Sequence, residues 1–295
     1  CFIRWVKDIA RRSKGNIVAI DGKTVRGAKE ADHESSPIHI VSAWTSQNNL
    51  FLGQVKTNEK SNEITAIPEL LDLLFVQGSI VTIDAIGTQK DIAKKIYKDK
   101  EADYVLALKT NQPNLYKDVE DYFQFVLKEN FKDVKYQFVR TAEKGHGRIE
   151  VREYYLITDI SWLESRKDWE GLKAIGMVIS KRKQKDQESV ETRYYLSSIT
   201  NGNKFSEAVR EHWGIESMHW VLDVVFNEDK SRIRKENEPE NAALLRKMAL
   251  NILKIDTQLD KANDVRPHSY NAKRYKSAID VDYLEKVMIT NILNS

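Results

Sequence analysis

The sequence predicts an α/β fold in which a mixed sheet is flanked by helices, with a β-rich stretch ahead of the last long helices. Three observations carry this. Continuous apolar runs such as Asn16-Ile17-Val18-Ala19-Ile20 and Ser79-Ile80-Val81-Thr82-Ile83 have the length and β-branched content of buried strands. Apolar residues elsewhere recur at helical spacing, as Ile64, Ile67, Leu70, Leu71 and Leu74 do. From about residue 135 to 200 the chain turns to aromatic and β-branched runs separated by Gly-rich or charged turns.

In order, a short helix precedes Asn16, and the first strand is expected to close at the turn Asp21-Gly22. Ile38 to Trp44 and Leu50 to Val55, split by Ser46-Gln47-Asn48-Asn49, form a hairpin. A helix from Asn62 to Leu74 leads to the strand ending at Asp84. Thr88-Gln89-Lys90-Asp91 has capping-box spacing before a helix from Ile92 to Tyr97. Tyr104 to Leu108 is the next strand and Leu115 to Leu127 the next helix. Tyr136 to Arg140, Ile149 to Leu156, Ala174 to Ser180 and Arg193 to Ile199 supply the β-rich stretch. Helix returns at Phe205 to Phe226, Ala242 to Ile255 and Tyr283 to Ile292. The domain reading is 1–134 for the first part of the main domain, 135–200 for a β-rich insertion and 201–295 for the helical remainder.

Composition narrows the function classes. Of 295 residues, 41% are hydrophobic and 31% charged, which is a folded rather than a disordered composition. No run approaches the roughly 18 consecutive apolar residues of a membrane span, and no basic-then-apolar signal opens the chain. Cys1 is the only cysteine, so an intrachain disulfide or a cysteine zinc site is excluded, and a cytoplasmic setting is expected. The start at Cys1 rather than Met leads to the expectation that the true N-terminus lies upstream. Net charge is only +3, yet residues 1–30 hold eight Lys/Arg against three acids, a local excess suited to a polyanion.

Asp21 and Asp84 each follow an apolar strand, and ligands gather at the carboxyl ends of strands in open α/β sheets. An Asp at that place also serves simply as a turn residue. On the helix from Phe205, Ile215, Met218, Leu222 and Val225 share one apolar face, while His212, Trp213, Glu216, His219, Trp220 and Asp223 share the other. A surface helix would carry Lys and Glu there; two Trp with two His and two acids suit either a face that meets a ligand or a second buried interface. His146, between two glycines and next to Arg148, suits phosphate or a flexible hairpin tip equally, whereas a run such as Lys181-Arg182-Lys183 with Lys185 is usually a solvated turn and adds phosphate contacts in a DNA enzyme. Trp213 or Trp220 could stack on an unpaired base; the segment from Trp162 to Trp169 is taken as structural.

Three blocks in order, Ile20-Asp21-Gly22-Lys23-Thr24-Val25-Arg26-Gly27-Ala28, Ile83-Asp84-Ala85-Ile86-Gly87-Thr88-Gln89, and His212-Trp213-Gly214-Ile215-Glu216 continuing through His219-Trp220-Val221-Leu222-Asp223-Val224, resemble the H-repeat-associated transposases. These are a branch of the bacterial insertion-sequence transposases with a DDE triad. The resemblance includes Gly145-His146-Gly147-Arg148-Ile149-Glu150 and Pro239-Glu240-Asn241, and runs from about residue 15 to the end. It implies a ribonuclease H-like catalytic domain with a β insertion before its last catalytic helix. The implied catalytic and metal-holding residues are Asp21, Asp84 and Glu216, with Asp21 shared between two Mg²⁺ or Mn²⁺ ions. The implied reaction is phosphodiester hydrolysis that frees a 3′-hydroxyl, followed by attack of that hydroxyl on target DNA.

Related DDE transposases place Tyr, Arg and Lys around the catalytic Glu where this chain has Val209, His212 and Asp223; His212 and Arg210 are the residues available to substitute. Lys23, Arg26, Lys109, His146, Arg148, Arg210, His212, Trp213 and His219 form the expected DNA-binding set. The partners expected are double-stranded DNA, as element ends and as target, and a further copy of the chain in a homo-oligomer; no membrane partner is expected. Two other readings remain open on the residues. Paired carboxylates near Trp also suit a glycosidase, which would not need a metal. A transposase-derived DNA-binding protein or remnant without catalysis would bind DNA but not cut it.

Overall fold

The structure, a computed structural model, describes residues 16–28, 37–46, 49–57, 63–145, 147–184 and 187–293. The helix expected before Asn16 and the expected His146 site lie outside the described residues. The chain divides into two compact units: Ile20–Phe75 with the part from Trp213 onward, and Ile17–Ala19 with Val76–His212.

In the first unit, β1 (Ile17–Thr24), from Ile20 on, lies beside β2 (His39–Thr45), which pairs antiparallel with β3 (Leu50–Lys56). The expected hairpin is thus formed, with a bulge between Ala43 and Trp44. Helix α1 (Glu63–Leu73) buries Ile67, Leu70 and Leu71 completely, so the helical spacing read from the sequence is the spacing of its core face. β1 does not close at Asp21-Gly22 but runs on to Thr24, which puts Asp21 inside the strand. Gly22 explains the difference: a methyl there would lie 2.1 Å from Glu63 Oε1 and 2.4 Å from His39 Nε2, so this glycine serves close packing, not a turn.

The unpaired side of β3 is covered by α5 (Glu238–Ala262). Asn251 accepts from the Phe51 N–H at 2.9 Å and donates to the Phe51 carbonyl at 2.8 Å, taking the place of a neighbouring strand. One turn earlier, buried Lys247 donates to Ser42 Oγ (2.9 Å) and Gln54 Oε1 (2.8 Å). Two further helices, α6 (Tyr270–Ile279) and α7 (Val281–Leu293), follow. α6 has no counterpart in the sequence reading; its Lys273 is buried and paired with Asp256 and with Asp260 (2.6 Å) of α5.

In the second unit, strands follow the order β4 (Ile80–Ile83), β5 (Asp103–Leu108), β9 (Gln187–Ser197), β8 (Ala174–Gln184), β7 (Arg148–Ile157) and β6 (Tyr136–Gly145). β4 and β5 are parallel; β5 to β9 and every later pair are antiparallel, so the sheet is mixed as expected. Strand alternation sorts its two faces. On one, Tyr194 meets Phe123 of α3 (Pro113–Lys128) with ring centroids 5.8 Å apart. On the other, Tyr195 meets Phe205 of α4 (Gly202–Val224) at 5.7 Å, within a core that includes Ile80, Val105, Tyr154, Val178 and Ala208. Trp169 is buried and Trp162 stacks on Tyr122 at 4.3 Å, which agrees with a structural role for that segment.

The expected capping box is not formed. Gln89 is the N-cap of α2 (Lys90–Lys94) without a side-chain bond, because the Thr88 hydroxyl is engaged by the carbonyls of Ala107 (2.6 Å) and Asp84 (3.2 Å). Thr88 therefore fastens the loop after β4 to the end of β5.

Candidate active site

β1 brings Asp21 into reach of α4: Asp21 Oδ2 lies 3.5 Å from His219 Nδ1, and His219 is only 9% exposed. Around Asp21 the strand is tightly built. His39 joins Thr24 Oγ1 (2.9 Å) to Glu63 Oε1 (2.8 Å), on the spot that only a glycine at position 22 leaves open. Lys23, one residue further, points its ammonium at three carboxylates: Asp223 (2.6 Å), Glu228 (2.8 Å) and Asp229 (3.4 Å). Burial opposes the charge on Lys23, but Glu228 and Asp223 outweigh it and raise its pKa. Its charge is therefore spent inside the protein.

In α4, Ile215, Met218 and Leu222 are buried, as their spacing predicts, and Glu216 and Trp220 are exposed. The opposite face is not uniform, since His219 is buried against Asp21. Gly214 has a role the sequence does not show. A methyl there would lie 2.1 Å from Cη2 of Trp44, an indole only 2% exposed, so the helix backbone itself packs on that ring.

Asp84 is the first residue after β4, in the other unit, half-buried and with the Gly87 N–H 3.5 Å from its Oδ1. The loop it opens is held by Thr88 and by Asn111, which donates to the Ala85 carbonyl at 2.5 Å. His212, in the same unit, bonds to the Thr82 hydroxyl at 2.9 Å. Burial, aided by the charge of Arg193, pushes the His212 imidazole down to about 4, so it is neutral near pH 7. A base whose folded pKa lies below its ordinary value of about 6.5 favours the native state fully above that value and less as pH falls towards 4. Stability is accordingly expected to drop between pH 6.5 and 4, and His212→Gln to flatten that part of the profile in urea melts.

The remaining expected DNA-binding residues stand as follows. Arg26, Lys109 and Arg148 are exposed, Trp213 is half-buried, and Arg210 is held by Glu143 through two bonds of 2.9 and 3.1 Å. The described part of the basic run, on β8, is paired: Lys181 with Glu153 (3.0 Å), Arg182 with Glu150 (3.4 Å) and Lys183 with Glu188 (2.6 Å), while Lys185 lies outside the described residues. Among the described residues, no three His, Cys, Asp or Glu side chains gather as a metal-holding group. Sequence reasoning missed Glu228, Asp229, His39 and Glu63. Their partners lie 15 to 206 residues away, and no local pattern announces such pairs.

The family model described as "Transposase DDE domain" matches residues 12–252, which contain Asp21, Asp84 and Glu216. The chain belongs to the DDE transposase family. Among curated relatives of this DDE-family chain, the "Putative transposase YncI" of Escherichia coli O157:H7 is 42% identical over 97% of this chain and 72% of its own length. The "H repeat-associated putative transposase YhhI" of Escherichia coli K12 is 40% identical over 98% of this chain and 75% of its own, in agreement with the resemblance to that branch. Among solved structures, a piggyBac transposase in a synaptic complex with hairpin DNA matches with a TM-score of 0.50 at 12% identity. That likeness is one of fold. It covers 95% of this chain, which spans about half (52%) of the piggyBac chain.

Proposed function

We propose that this chain is the catalytic part of a DNA transposase that hydrolyses phosphodiesters at element ends and transfers the freed strand to target DNA. The observation that carries this is the family match running through all three acids, Asp21 on β1, Asp84 after β4 and Glu216 on the exposed side of α4. We read the fold as ribonuclease H-like, with 135–200 inserted between 1–134 and 201–295.

The three acids are carboxylates, the hard oxygen donors that suit Mg²⁺ or Mn²⁺. Asp21, Asp84 and Glu216 would hold Mg²⁺ or Mn²⁺, as two ions. When bound, such ions supply charge to the attacking and leaving oxygens of an in-line displacement. Glu216 is preferred to Asp223 because Asp223 is already paired with Lys23. Buried His219 orients Asp21, and Arg26, Lys109 and Arg148 offer exposed charge to phosphates. The DNA would be met in the cytoplasm; no helix among the described residues is long and apolar enough to cross a membrane. A homo-oligomer would hold two ends together.

The test is nicking of supercoiled plasmid. It should require Mg²⁺ or Mn²⁺, stop with EDTA, and be lost in Asp84→Asn; nicking that survives EDTA would end the proposal. Binding of the same DNA should weaken with salt, with a log–log slope of about −0.9 per phosphate neutralised.

A further inference from the structure

We infer that Lys23 is a positioning residue, which sets the strand carrying Asp21 against the helix carrying Glu216 through its ion pair with Asp223. The inference rests on the catalytic reading of Asp21 and Glu216 given above.

The geometry is that of two ties in register. Asp21 and Lys23 are two apart on β1 and so share one face of the strand. Glu216, His219 and Asp223 are three and four apart on α4 and so share one stripe of the helix. Asp21 is tied to His219 at 3.5 Å, and Lys23 to Asp223 at 2.6 Å. One tie alone leaves a strand and a helix able to pivot; two on the same pair of faces fix their register. The segment after α4 adds a third point. Glu228, 1% exposed, takes Lys23 at 2.8 Å, and a methyl on Gly27 would lie 2.5 Å from the Asp229 carbonyl oxygen, so this segment is pressed against the end of β1.

The same contacts argue against the other role open to Lys23. A lysine only 9% exposed, its ammonium shared among three carboxylates, would have to leave a buried acid unpaired in order to reach a phosphate. Lys23 therefore acts within the protein, one step behind the carboxylates that meet the metal and DNA. Outer partners of this kind typically change metal affinity when they are removed, although they touch no metal.

Lys23→Met alone would strand buried Glu228, so the test uses Asp223→Asn, which leaves the Lys23–Glu228 pair in place, and the composite Lys23→Met/Glu228→Gln. Plasmid nicking at saturating DNA, DNA affinity at several salt concentrations and Mn²⁺ affinity by calorimetry are read for each. Either change is expected to lower nicking and Mn²⁺ affinity by about tenfold, the usual size for an outer partner, with DNA affinity held within about twofold. Combined, they should cost no more than the composite alone, since the composite already removes the Lys23–Asp223 pair that Asp223→Asn removes. Asp223→Glu, which keeps the carboxylate, should recover most of the loss.

Additive losses, an Mn²⁺ affinity that stays level or rises, or a weaker DNA affinity with a shallower salt slope in the composite would each overturn the inference, the last by showing a phosphate contact. Glu216→Gln separates the two levels. If it nicks like the parent, or if the parent binds no Mn²⁺, the catalytic reading itself is wrong. If it is inactive while Asp223→Asn nicks at the parental rate, only the positioning role fails.

Discussion

Glu216→Gln is expected to abolish metal-dependent nicking and strand transfer while leaving the fold and DNA binding intact. Glutamine keeps the shape and hydrogen-bonding reach of the side chain and removes only its charge, which is what a hard cation needs. Glu216 is exposed on α4, so stability should change by no more than about 0.5 kcal/mol. A loss of about a thousandfold in rate, roughly 4 kcal/mol in the barrier, is the expected scale. The neighbouring acid is the control. Asp223 lies two turns along the helix, about 10 Å away at 1.5 Å per residue, and its carboxylate is held by Lys23 at 2.6 Å. Asp223→Asn should therefore weaken nicking without ending it. Parental cleavage by Glu216→Gln together with an inactive Asp223→Asn would move the metal-holding carboxylate seven residues along α4.

Gly214→Ala should destabilise the protein, although helix propensity alone gives the opposite sign. In the interior of an exposed helix this change gains about 1 kcal/mol. Here the new methyl would lie 2.1 Å from Cη2 and 2.6 Å from Cζ3 of Trp44, so the indole, only 2% exposed, or the helix backbone would have to shift. Overpacking of that kind costs about 1–3 kcal/mol or more, so the clash outweighs the propensity gain. A fall in melting temperature of about 3–8 °C follows for a chain of this size. Nicking should fall too, because Glu216 stands two residues beyond the displaced backbone. The double variant Trp44→Leu/Gly214→Ala should recover part of the stability lost in Gly214→Ala. A melting temperature raised by Gly214→Ala would mean that the ring does not sit against the helix.

The strands and most helices were legible because burial repeats locally, at a period of 2 in strands and 3.6 in helices. Ile67, Leu70 and Leu71 announce the buried face of α1, and Ile215, Met218 and Leu222 that of α4, without reference to any other part of the chain. Polar residues whose environment is made by distant segments were not legible. Asp21-Gly22 has the composition of a turn, yet His39 and Glu63 make it the middle of a strand. α6 looks like an ordinary polar segment because its anchor is a lysine; Lys273 is 1% exposed only because Asp256 and Asp260 are waiting for it on another helix. Thr88 has the spacing of a cap, but a carbonyl on β5 takes its hydroxyl.

By itself, then, the sequence determined the α/β class, the order of the strands and of the long helices other than α6, and the family, since three blocks around Asp21, Asp84 and Glu216 survive as short local patterns. Only the tertiary structure decided that Lys23 is an internal tie instead of a free cation, that His212 is half-buried and neutral, that His219 faces Asp21, and that Gly214 is required by Trp44. The reason is physical. A side chain's periodicity is set by its neighbours in the chain, whereas its charge state, its partner and the space left for it are set by residues that folding brings from far away, 200 positions in the case of Lys23 and Asp223.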